Sequence, residues 1–153
     1  MKKTILLFVL LLSIIRVSAQ KERFNIPEDF GKTESTVLIT EGARNKITES
    51  MVEAFEKEYK GNFEAITGTG KYSNTSKYDA SKYRYVFYVL ENYNPGYFVG
   101  RDRFPPTTDW KFGILDRQTG KSYEQDFWSG NFKKGSRNYV KNLEEMRKKN
   151  AGN

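Results

Sequence analysis

The chain has 153 residues, a net charge of +7, no cysteine and no histidine. Those two absences exclude disulfide staples, Ser-His-Asp and Cys-His nucleophilic sites, and a zinc centre built from its usual ligands. An enzyme on this chain would have to work through carboxylates, tyrosine or lysine.

Lys2 and Lys3 precede an apolar run from Ile5 to Ile15, and Val17-Ser18-Ala19 supplies the small residues a signal peptidase reads. The pattern predicts a secretory leader over residues 1–19, cut between Ala19 and Gln20. The run is shorter than the about 20 residues a bilayer-spanning helix needs, so no transmembrane segment is expected in the mature chain. With no cysteine there is no lipobox, and the expected location is periplasmic or secreted. Loss of Lys2, Lys3 and Arg16 with the leader takes the charge from +7 to +4. That remainder is uneven. Residues 131–153 hold seven basic residues against Glu144 and Glu145. Such a face can meet anionic headgroups or polymers, but it is more often a solvated helix surface with cations near the helix C-terminus.

Residues 20–34 are polar and mixed and read as an N-terminal arm to a single domain over 35–150. Thr36 to Thr40 is a β-branched run that predicts a buried strand. Ile47, Met51, Val52, Phe55 and Tyr59 then recur at helical spacing, with Gly61 placed as a C-cap. Asn62 to Ile66 predicts a second strand, so this unit is expected to be parallel β-α-β. Residues 67–82 read as loop. Tyr83 to Leu90 is apolar on both alternations and predicts a central strand. Residues 92–109 read as a second long loop. Trp110–Asp116 and Ser122–Trp128 predict a hairpin turning at Gly120, with Trp110, Phe112, Ile114, Tyr123 and Phe127 on one face. Lys111 shares the opposite face with Glu124 and Asp126, where charges can pair across strands. Tyr139, Val140, Leu143 and Met146 form the stripe of a closing helix, with Ser136 as its N-cap. The expected fold is α+β, in the order β-α-β-β-β-β-α. It is one layer of about five mostly antiparallel strands with two helices on one face.

Three patterns bear on chemistry. Gly68-Thr69-Gly70-Lys71 suggests a phosphate loop, but Ala65 stands where the first glycine is needed and Tyr72 where Ser or Thr is needed. Glu124 and Asp126, two apart on a strand, suggest paired carboxylates for glycan hydrolysis, but a solvated strand face with Lys111 opposite is the favoured reading. The stretch 92–109 is too long for a plain connection and too aromatic for disorder. Tyr93, Tyr97, Phe98 and Phe104 with Arg101 and Arg103 have the composition of a recognition surface. The competing reading is a loop that folds back and caps the core with its aromatics. No catalytic residue, metal ligand or cofactor is expected.

The element order, the Asp116-Arg117-Gln118-Thr119-Gly120-Lys121 turn and the closing amphipathic helix resemble a known group over about residues 34–149. These are the small periplasmic α/β domains of curli-secretion and penicillin-binding-protein-activator lipoproteins. The leader end Val17-Ser18-Ala19-Gln20 is similar to leaders of exported Bacteroidota proteins. The resemblance implies an envelope binding or scaffolding role without catalysis. An envelope protein or glycan is the expected partner, and nucleic acid is not. The alternative is a small carboxylate-dependent hydrolase acting on cell-wall glycan.

Overall fold

The computed structural model describes residues 24–41, 45–69 and 78–152. The leader with its Ala19–Gln20 cut, and Gly70 and Lys71 of the glycine-rich tract, lie outside the described residues. In chain order the elements are β1 (Val37–Glu41), α1 (Asn45–Glu58), β2 (Phe63–Thr69), β3 (Tyr85–Asn94), β4 (Tyr97–Val99), β5 (Asp102–Phe104), β6 (Thr107–Asp116), β7 (Ser122–Glu124) and α2 (Phe132–Ala151).

The fold is α+β. Five strands form one sheet in the order β2-β1-β3-β6-β7, and β4 with β5 makes a separate two-stranded ribbon. The expected parallel β-α-β unit is present: β1 pairs in parallel with β2, and also with β3. The other two pairings in this sheet, β3 with β6 and β6 with β7, are antiparallel. The strands of the β6–β7 hairpin turn at Gly120, whose φ of +71° a side chain would strain.

Both helices lie on one face of the sheet. Met51, Ala54 and Phe55 of α1 and Tyr139, Val140 and Leu143 of α2 share a buried cluster with Val37, Ile39, Phe87, Phe112 and Ile114. Phe55 sits at its centre, edge-on to Phe87 at 5.0 Å and to Tyr59 at 5.4 Å. Leu38, Ile66 and Val86 point the other way and are covered by Tyr78, Tyr83 and Leu115. A strand pattern apolar on both alternations thus buries both faces, as its sequence requires.

The start of α2 differs from expectation. Asn131, not Ser136, is the N-cap; its Oδ1 accepts from the Lys134 amide at 3.0 Å. The stripe runs back about two further turns to Phe132, which packs edge-on to Trp110 and Phe112. Ser136 is buried inside the helix and donates back to the Lys133 carbonyl. Gly135 lets this turn lie close to the sheet, since a Cβ there would fall 2.6 Å from the Phe112 ring.

Residues 24–34 pack into the domain. Phe30 is fully buried against Tyr85 and Tyr59. Phe24 stacks edge-on to Phe127 and Tyr139. The Tyr139 hydroxyl lies 3.1 Å from the Asn25 carbonyl and 3.0 Å from that of Tyr123, so it joins this segment to β7. Asn150, near the end of α2, donates to the Glu28 and Phe30 carbonyls, each at 2.8 Å.

Candidate binding arm

The stretch 92–109 is a β-hairpin arm rather than a loop. β3 and β6 stay paired as far as Asn94↔Thr107, and the same register resumes at Tyr97↔Phe104 and runs to Val99↔Asp102. Gly100 and Arg101 close the tip, with Gly100 at φ +61°. Asparagine, glycine and proline make the sequence look like a connection, yet Asn92 and Asn94 sit within the β3 ladder and the ribbon uses glycine and proline at two places only. Gly100 makes the turn. Pro95, Gly96, Pro105 and Pro106 form the break between the two ladders. A Cβ on Gly96 would lie 2.8 Å from the Phe104 carbonyl oxygen, so the break has no room for a side chain there.

The arm leaves the helix layer behind. The first turn of α2 reaches the sheet at Trp110, and the ribbon continues beyond it. Strand alternation carries the core face outward, so Tyr93, Tyr97 and, across the ladder, Phe104 continue the side of Phe87 and Val89. Phe98 and Arg103 pair on the opposite side. Tyr93, Tyr97, Phe98, Val99 and Phe104 are all exposed, from 43% for Phe104 to 71% for Phe98. Arg101 and Arg103 are exposed as well. Tyr97 and Phe104 stack on one another, centroids 4.8 Å apart and planes within 10°.

The structure therefore brings the six sequence-predicted residues together on one projecting element, Tyr93 nearest its foot and the others around its tip. They do not fold back onto the core. Val99 joins them, although one valine in a loop-like stretch carries no pattern. At the foot, Trp128 is also exposed, with the Lys111 ammonium 5.3 Å above its ring.

The arm's backbone limits how it can be engaged. A sheet edge invites strand addition, but Pro95, Pro105 and Pro106 have no amide to offer. That leaves only the short edges of β4 and β5 for strand addition and favours contact through the side chains on the two faces.

The carboxylate pair is not assembled. β7 ends at Glu124, and Gln125 is buried with its amide bonded to the Phe127 carbonyl at 2.8 Å. The alternation that would align Glu124 with Asp126 stops there. Glu124 takes the Tyr88 hydroxyl at 2.8 Å, whereas Asp126 takes the Asn25 amide at 2.7 Å. Much of the basic tail is matched internally. Arg137 binds Glu58, and Arg147 binds Glu144 through Nε at 2.8 Å and Nη2 at 2.9 Å. Lys133 lies 3.9 Å from Glu53. Among the described residues no group of three or more Asp and Glu is placed to hold a metal ion. No helix among them is long and apolar enough to cross a membrane.

No protein-family model matches the chain, and no curated protein matches it. Among solved structures the chain is similar to PelC dodecamers from Paraburkholderia phytofirmans. One is a point variant, 10% identical over 75% of this chain and 89% of that one, with a TM-score of 0.40. The other is 11% identical over 76% and 91%, with a TM-score of 0.42. At that level the likeness carries no functional argument.

Proposed function

We propose that this is an exported envelope protein that acts by binding or scaffolding rather than by catalysis, and that the arm is its contact element. One observation carries the reading. Five large apolar side chains stand exposed on a two-stranded ribbon, which by itself is marginal in water. Exposed apolar surface of this kind marks a docking site on a soluble protein. Tyrosine, phenylalanine and arginine together are the residues that anchor interfaces. The leader supports export, and the resemblance to curli-secretion and penicillin-binding-protein-activator domains supports an envelope role.

The test is capture from an envelope extract with wild-type protein and with the triple variant Tyr97→Ser, Phe98→Ser, Arg101→Ser. The wild type should retain partners that the variant loses. Identical captured sets would remove the arm from the binding surface.

A further inference from the structure

We infer that the arm's occupant is a second copy of this chain, seated in a groove at the far end of the molecule. The inference rests on the arm being a binding element and names what it binds.

The tip argues against a lipid surface. Arg101 and Asp102 lie distal to the rungs of Phe98–Arg103 and Tyr97–Phe104, so a tip entering a bilayer would carry two charges into hydrocarbon first. The prolines argue against a partner that adds a strand. Apolar side chains on both faces call for an occupant that encloses the ribbon, with polar groups deeper in to meet the tip.

The chain carries such a groove, of 1500 Å³, where the N-terminal segment, β7 and the end of α2 meet. That is above the ~300–1,000 Å³ usual for small-molecule sites. Its apolar lining is Phe24, Ile26, Tyr123 and Met146, all only partly buried. The exposed Glu28 lines it too and matches Arg101 and Arg103 in charge, beside Asp29, which Arg84 already holds, and Glu124, which takes the Tyr88 hydroxyl. Lys32, Lys121 and Lys149 complete it and match Asp102.

A protomer cannot fill its own groove. α2 has Phe132 at the foot of the arm, and Met146 and Asn150 at the groove. The groove's nearest wall, Glu124, pairs with Gly113, and the tip at Arg103 lies ten residues further along the ribbon, about 33 Å at ~3.3 Å per residue. The contact is therefore head-to-tail between copies, and it extends to a ring or a filament.

Light scattering after size exclusion, over a range of protein concentrations, tests this with the full exported chain. Wild-type mass should rise above one chain as concentration increases. An arm variant, Phe98→Ser with Arg103→Ser, and a groove variant, Glu28→Arg, should each stay monomeric; both change exposed residues and should melt like the wild type. Mixed together they should give a 1:1 dimer and nothing larger, since one intact arm and one intact groove remain. The chain has no cysteine, so Val99→Cys, which keeps the arginines and Phe98, gives a single attachment point for a thiol-to-amine cross-linker. Its products should map to Lys32, Lys121 or Lys149 of an isotopically labelled neighbour.

A monomeric wild type, assembly that survives in the arm variant, or a mixture that stays monomeric would overturn the proposal. A monomer that still captures envelope partners through its arm sinks the second copy and leaves the binding arm standing. A monomer that captures nothing sinks both.

Discussion

Arg84 grips Asp116 at two points, Nε to Oδ1 at 3.0 Å and Nη2 to Oδ2 at 2.7 Å. The same Nη2 lies 2.7 Å from Asp29, so one guanidinium joins the start of β3, the end of β6 and the N-terminal segment. Asp116 is almost fully buried. Burial raises its carboxyl, but Arg84 and the Gln118 amide outweigh burial and hold it below the ordinary carboxylate range. Glu144 is alike. Burial raises it, and Arg147 with the Lys60 amide brings it below its usual value.

These two carboxylates set an acid limit. A carboxyl whose folded pKa is depressed contributes stability above its unfolded pKa, about 4, and loses it as pH falls through the folded value. Urea midpoints should hold from pH 7 to about 5 and drop steadily below about 4. Asp116→Asn should cost on the order of 3 kcal/mol at pH 7, because it leaves Arg84 without its buried partner, and should flatten the acid slope. An unchanged slope would mean that other groups control the acid transition.

Core and surface positions on α1 should separate cleanly. Phe55→Ala should cost about 3 to 5 kcal/mol, as a buried ring at the centre of the main cluster. Glu56→Ala, on the exposed side, should move stability by less than about 0.5 kcal/mol. Chemical denaturation of the two variants decides, and similar losses at both would contradict the helix register.

Gly135 is tested by adding one methyl group. Gly135→Ala should cost about 1 to 3 kcal/mol by overpacking, although alanine favours helix. Gly130→Ala is the control, since its Cβ would meet only Asp109 at 3.4 Å. Thermal melts that rank the two variants the other way would show that α2 has room to shift.

The arm residues should be nearly silent in folding. Tyr97→Ser with Phe98→Ser should leave the melting midpoint within a few degrees of wild type, because exposed side chains contribute little to the native state. A fall of the size Phe55→Ala produces would mean the arm packs on the core in solution.

What the sequence makes legible is what repeats locally. The α1 stripe, the β-branched run of β1 and the turn at Gly120 each carry a period or a turn residue, and each is where the pattern puts it. Phe30 carries neither. It is one aromatic in a polar stretch, and its burial depends on Tyr59, Tyr85 and the end of α2. The arm was legible as composition but not as geometry. Pairing Tyr97 with Phe104 means reading through three prolines that signal a break. The end of β7 was hidden because it follows from Gln125 turning its amide inward, which no alternation announces. The groove draws on three separate segments, so no local window contains it.

The bonds from Asn150 to Glu28 and Phe30 have a consequence for the order of events in folding. They tie together chain positions 120 residues apart or more. The β-α-β unit can begin to form early from local contacts, but the layer over Phe30 cannot close until the last turn of α2 is available. Contacts of such long separation slow folding. A chain made from its N-terminus therefore keeps Phe30 uncovered until its last residues are free to fold.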